Sequence, residues 1–271
     1  MTDDASTPRP VPVSKIDTSV PHSARIWNYW LGGSDNYEVD RIAGDQYREA
    51  FPGIVDVARC SRQFLVRSIR YMAREAGIWQ FLDVGTGLPT VDNTHQVAQR
   101  VNPESRVVYV DNDPLVLMHA NALLTSTPEG HTAYVEEDLH EPERILAAAG
   151  EHLDLDAPVG VILSGILGHV ETHEEARLIV RRLMAGVAPG SHLSVNEGTD
   201  TDETYCAAQA AYNESGAIPY RLRTMDEIRA YFDGLELVEP GVVSVPRWRP
   251  DPAASQGPQD VGQAGGVGRK P

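Results

Sequence analysis

The sequence predicts an α/β fold: a mostly parallel sheet with helices on both faces, preceded by a helical extension. Three observations predict it. From residue 80 onward, short apolar runs alternate with helix-length amphipathic stretches. The first run ends in a glycine-containing turn, Gly85-Thr-Gly87, that leads towards a helix. The last two runs are separated only by Glu239-Pro-Gly241, too short a gap for a crossover helix.

The elements follow in order. Residues 1–20, rich in Pro, Ser, Thr and Asp, read as a flexible arm. Residues 21–79 read as a helical cap. Ile26, Trp27, Trp30 and Leu31 share one face of a first helix, which Gly32-Gly33 stops. A longer helix is expected from about residue 55 to 76, with Val57, Cys60, Phe64, Ile69 and Met72 in its stripe and Gly77 at its end. The α/β domain then spans 80–249. Strands are expected at Gln80–Val84, 106–110, 133–136, 159–163 and 192–196, and helices at 90–101, 115–124 and 174–187. Thr172 and Glu175 form a T-x-x-E capping box before the last of these helices. Segments 234–238 and 242–248 read as a closing hairpin. The sheet then has seven strands, one of them antiparallel. Residues 250–271, mostly Gly, Pro, Gln, Ala and Asp, read as a disordered tail.

Charge narrows the partners. The 271 residues carry 23 Lys and Arg against 39 Asp and Glu, a net charge of −16. Phosphate neutralisation needs clustered cations, so nucleic acid is not an expected partner, and an anionic membrane surface is disfavoured too. No apolar run is long enough to span a bilayer, and the first residues lack a signal-peptide core. Cys60 and Cys206 belong to no CxxC pair, so no metal site is expected. A cytoplasmic location and a small-molecule partner fit this composition, which leaves the oligomeric state open.

The candidate chemistry lies at strand ends. Glycines at 85 and 87, around Thr86, let a ligand approach the backbone, and the following helix start favours electron-rich groups. Thr90 stands where a dinucleotide fingerprint has its third glycine. Asp83 would repel a pyrophosphate but suits the α-amino group of a methionine moiety; its plain alternative is a turn cap. Asp111, followed by Asn112, ends the second strand and can accept both ribose hydroxyls, as acids in nicotinamide sites also do; a solvated strand-end acid is the alternative. Asp138 can accept an adenine amine, with the Leu139 N–H reaching a ring nitrogen; a solvated loop is the alternative. Ser164, Gly165 and His169 follow the fourth strand, where open α/β sheets bind ligands. His169 is a candidate general base, or else satisfies hydrogen bonds at a helix start. Tyr29, Trp30, Tyr37 and Tyr205 are either an aromatic wall for an aromatic or cationic acceptor or plain core.

Three segments together carry a resemblance. They are Ala24-Arg-Ile-Trp-Asn-Tyr-Trp-Leu-Gly-Gly-Ser-Asp-Asn-Tyr37, the stretch from Phe81 to Gln99, and Val107-Val-Tyr-Val-Asp-Asn-Asp-Pro114. Over roughly residues 20–250 the chain resembles a family of actinobacterial S-adenosylmethionine-dependent methyltransferases, formerly catalogued as a domain of unknown function. The resemblance implies the class I methyltransferase Rossmann-like fold. It also implies an S-adenosyl-L-methionine site at Asp83, Gly85, Gly87, Asp111 and Asp138. The stretch holding Gly33 and Asn36 is expected to fold over that cofactor. The family often reads Leu-His-Phe after the fourth strand. Here the triplet is Leu167-Gly168-His169, and on a helix one position turns a side chain by about 100°. The expected function is methyl transfer to a small-molecule acceptor. A cofactor-binding protein without turnover and a nicotinamide-dependent oxidoreductase are the alternatives, the latter disfavoured by Asp83, Thr90 and the expected hairpin. No Asn/Asp-Pro-Pro-aromatic motif follows the fourth strand, which argues against amide or base N-methylation.

Overall fold

The computed structural model describes residues 17–113, 115–116, 118, 125–251 and 259–271. β1 (Gln80–Val84) is buried along its whole length, as a central strand covered on both faces must be. It pairs in parallel with β2 (Arg106–Asp111) on one side and β4 (Gly160–Ser164) on the other. β3 (His131–Glu136) extends the sheet beyond β2, and β5 (His192–Gly198) beyond β4, both in parallel. Strand order thus reverses between β1 and β4. That is the switch point outside whose carboxyl ends open α/β sheets hold their ligands.

Alternate residues of each strand serve opposite layers. Phe81, Val107, Tyr109 and Ile162 pack with α3 (Ile54–Arg74) and α4 (Thr94–Val101) through Phe64, Ile69, Met72, Val97 and Ala98. Leu82, Val84, Val108 and Leu163 pack with α5 (Pro142–Ala149) and α6 (His173–Ala185) through Ile145, Ala149, Ile179 and Leu183. The 21–79 segment therefore divides. α3 serves both parts: its later turns are a layer of the α/β body, while Ile54, Val57 and Ala58 of its first turns pack with the helices before it. α1 (Ser23–Trp30) and α2 (Glu38–Ala50) form a second core with α7 (Glu203–Asn213) and the start of α3, built on Ile26, Trp30, Tyr47, Phe51, Val57, Tyr205 and Ala208. Most of the helix expected over 115–124 lies outside the described residues.

The C-terminal expectations need two corrections. Residues 263–269, read as disordered tail, form β8 (Gln263–Arg269), an antiparallel strand paired with β5 over seven residues and buried at all but its last position. The expected hairpin does not form. β6 (Glu236–Leu237) and β7 (Val243–Ser244) both pair with β8 rather than with each other. Glu239-Pro-Gly241 is a bulge interrupting a single edge strand, and the antiparallel strand is β8. Glycine content reads as flexibility, yet here it serves packing. A Cβ on Gly268 would sit 2.8 Å from the Phe232 ring, and one on Gly265 would sit 2.6 Å from the Val195 carbonyl. The fully buried Trp248 closes this end. Arg67 of α3 donates to the carbonyls of Trp248 and Val245 at 2.9 and 2.7 Å.

Candidate active site

A cavity of about 250 Å³ opens at the switch point. Asp83, Gly85, Thr86, Gly87, Asp111, Asn112, Asp138, Leu139, Ser164 and His169 all line it. Gly33 and Asn36 do not. They support it at one remove: Asn36 donates to the side-chain oxygen of Asn28 at 3.0 Å, and Asn28 does line the cavity. A Cβ on Gly33 would strike the Asn28 amide at 2.4 Å, so the glycine permits this packing rather than a ligand contact.

The turn after β1 is set by backbone geometry. Gly85 has φ +74°, and a Cβ there would lie 2.4 Å from the Ile166 side chain. Gly87 has φ +64°, and its Cβ would meet only Ala24, at 3.9 Å. The Gly85 N–H donates to the Val110 carbonyl at 2.9 Å. Asp111 holds the turn from β2, with one carboxylate oxygen accepting the Gly87 N–H and the other the Asp113 N–H, both at 2.9 Å. Burial raises its pKa, partly opposed by these two bonds. Asp83 is nearly closed off, with its Oδ2 accepting the Thr94 hydroxyl at 2.5 Å. Burial pushes its carboxyl up to about 6, while Thr94 and Arg62 pull the other way.

Asp138 differs from both. Burial would raise its pKa, but hydrogen bonds from the His140 N–H and ring nitrogen bring it below the usual carboxylate range. Its Oδ1 takes both, at 2.8 and 2.7 Å, leaving Oδ2, among the described residues, with only a 3.5 Å contact to Asn112.

On the β4 side, the chain turns through Gly165 into a 3₁₀ turn, Leu167–His169. The His169 Nδ1 lies 2.9 Å from the Pro219 carbonyl. A carbonyl only accepts, so Nδ1 carries the proton and Nε2 the lone pair. Burial lowers the pKa of this ring. Trp27, Ser23 and His169 also line a small inner recess that continues between Trp30, Tyr47, Tyr205, Tyr212 and Tyr220. Of the four aromatics expected as a wall, Trp30 and Tyr205 are there. Tyr29 instead donates to Asp45, and Tyr37 lies under the Arg25 guanidinium.

Sequence reasoning missed His22, Trp27, Asn28, Arg62 and His140 as cavity residues. Four come from helices or helix caps distant in sequence from the strand ends. His140 alone had a nearby signal, two residues after Asp138.

The chain matches the family model described as S-adenosyl methyltransferase over residues 10–271. Among solved structures it is similar to a DUF574 family protein from Streptomyces avermitilis: 45% identity, TM-score 0.90, covering 94% of this chain and 99% of that one. It is also similar to a candidate methyltransferase from Thermobifida fusca, at 40% identity and TM-score 0.84, covering 94% of this chain and 96% of that one. The magnesium protoporphyrin IX methyltransferase of Synechocystis, solved with bound SAH, shares the fold at 12% identity and TM-score 0.54, covering 91% and 93%. A search of curated proteins gives no match. No helix among the described residues is long and apolar enough to cross a membrane. The family match extends far beyond the glycine turn, and the nicotinamide alternative is dropped. The chain belongs to the S-adenosyl methyltransferase family and is an S-adenosylmethionine-dependent methyltransferase of the class I fold.

Proposed function

We propose that the methyl group goes to a small-molecule acceptor bound where the cavity meets Ser164 and His169. One observation carries this reading. The cavity that gathers the acids and glycines of β1, β2 and β3 runs without a break to His169, and His169 also borders the aromatic recess.

The residues fit the cofactor. Beside Gly87 the nearest side chain is Ala24, only in ordinary van der Waals contact with a Cβ built there, at 3.9 Å. Asp111 retains lone pairs for ribose hydroxyls after its two backbone bonds, since an ionised carboxylate has about four acceptor sites. Asp138 Oδ2 and the backbone at Leu139, which line the cavity with Asn112, would receive adenine. Bound there, the cofactor supplies a sulfonium methyl already activated for displacement. The chain's remaining tasks are to align the acceptor, exclude water and take up a proton. Trp27, Leu88 and Ile166 give the cavity apolar walls. His169, neutral because burial disfavours its charged form, offers Nε2 to an acceptor hydroxyl.

The reading is tested by incubating the chain with methyl-labelled adenosylmethionine and a size-fractionated cell extract. Label should enter the low-molecular-mass fraction. Label confined to protein or nucleic acid would overturn the small-molecule assignment. Stabilisation by adenosylhomocysteine with no transfer to any fraction would favour binding without turnover.

A further inference from the structure

Among the described residues, the cavity wall carries three carboxylates, Asp83, Asp111 and Asp138, and a single Arg or Lys, Arg62. Arg62 comes from α3. Its guanidinium is oriented by the loop that follows the glycine turn. Nε and Nη2 each donate to the Val91 carbonyl at 3.0 Å, and Nη2 also reaches the Asn93 side-chain oxygen at 3.3 Å. That same Asn93 oxygen accepts the Thr90 N–H at 3.0 Å, so loop and guanidinium are fixed together. Nη1 has no hydrogen-bond partner among the described residues. One end of the fork is therefore free beside a cavity.

Arg62 and Asp83 act on each other's charge, yet no ion pair within 4.0 Å joins them among the described residues. Asp83 uses one oxygen on Thr94. The cavity thus presents a cation and an anion near each other, neither neutralised by the other. Nη1 keeps its donors for an anion, and a charge-assisted hydrogen bond to a carboxylate is the strong interaction it lacks. The amino-acid end of adenosylmethionine carries both complementary charges on one carbon. The geometry points to Arg62 as the anchor of the cofactor's carboxylate, with Asp83 receiving the ammonium group. This rests on the reading that the cavity holds adenosylmethionine.

Calorimetric binding of two probes separates the possibilities. Adenosylhomocysteine has the amino-acid end; methylthioadenosine keeps the adenosine and sulfur but lacks it. Arg62→Gln should weaken adenosylhomocysteine roughly ten- to a hundredfold, the range for hydrogen bonds to charged groups, and leave methylthioadenosine within about twofold. Arg62→Lys, which keeps the charge but not the fork, should lose less while preserving the same selectivity. If the Gln variant does not fold, the Lys variant decides by the ratio of the two probes. Equal weakening of both probes would mean that Arg62 only holds the 90–93 loop, and no change in either would remove it from the site; both overturn the inference. Failure of the unaltered chain to bind adenosylhomocysteine would overturn the cofactor reading itself.

Discussion

Glu197 fixes the His169 side of the cavity from beneath. It is fully buried and accepts the N–H groups of Leu167 and Gly168 at 2.8 and 3.1 Å, together with the Tyr220 hydroxyl. Gly168 is needed because a Cβ there would lie 2.3 Å from the Tyr220 ring. Burial pushes the Glu197 carboxyl up to about 7, opposed by the Tyr220 and backbone hydrogen bonds. Between the ordinary value of 4.5 and that raised value, the folded chain holds more of this proton than the unfolded chain does. This group's contribution therefore declines as pH rises through the window. Glu197→Gln should flatten the pH dependence of urea-unfolding midpoints between pH 5 and 7 by removing that carboxyl; an unchanged slope would refute the assignment. His169 titrates in the opposite sense, because its lowered pKa keeps it neutral to below the usual histidine range. If it takes the acceptor's proton, kcat/KM should show an acid limb below pH 6.5. His169→Asn should lower kcat on the order of 10²-fold or more and abolish that limb, with melting behaviour little changed. A surviving limb would assign it to another group.

Legibility in the sequence varies between elements. β1, β2, β4 and β5 were readable because central strands need near-continuous apolar runs, and their ends place Asp83, Asp111 and Ser164 at one rim. The glycine turn was readable because backbone with positive φ selects glycine. β8 was not, because Gly265, Gly266 and Gly268 answer to neighbours that sequence does not display. Nor could local sequence show that segments either side of Pro240-Gly241 share β8 as partner. The site followed the same division: strand-end acids were legible, while Arg62, Trp27 and His22 arrive from helices by tertiary packing. Gly265 tests the packing account. Its Cβ would meet the Val195 carbonyl at 2.6 Å and Asn196 Cβ at 2.7 Å, across a strand buried on both faces. Gly265→Ala should cost about 1–3 kcal/mol, seen as a lower urea midpoint at constant m-value. A variant as stable as the parent would show that the glycine is there for some other reason.

At the scale of the whole molecule, the latest of the described strands in chain order is an interior one. β8 lies between β5 and the interrupted β6–β7 edge, so the sheet on that side cannot close without residues 263–269. Its end is pinned as well: the Lys270 ammonium donates to the Met184 and Val187 carbonyls at 2.8 and 2.7 Å, satisfying groups left open at the end of α6. The consequence reaches the cavity, because β5 is shared. Pairing with β8 holds Asn196 and Glu197 in register. The Asn196 carbonyl accepts the Gly165 N–H at 2.8 Å, and Glu197 holds the turn that carries His169. Deleting residues 263–271 would bare the edges of β5 and of the β6–β7 strand, and exposed edges promote association. The truncated chain should lose cooperative unfolding and adenosylhomocysteine binding together. Lys270→Met, which removes only the ammonium, should lower stability by about 1 kcal/mol and leave binding intact. Were the truncated chain to unfold cooperatively and still bind the ligand, β8 would be an accessory to the sheet rather than the element that completes it.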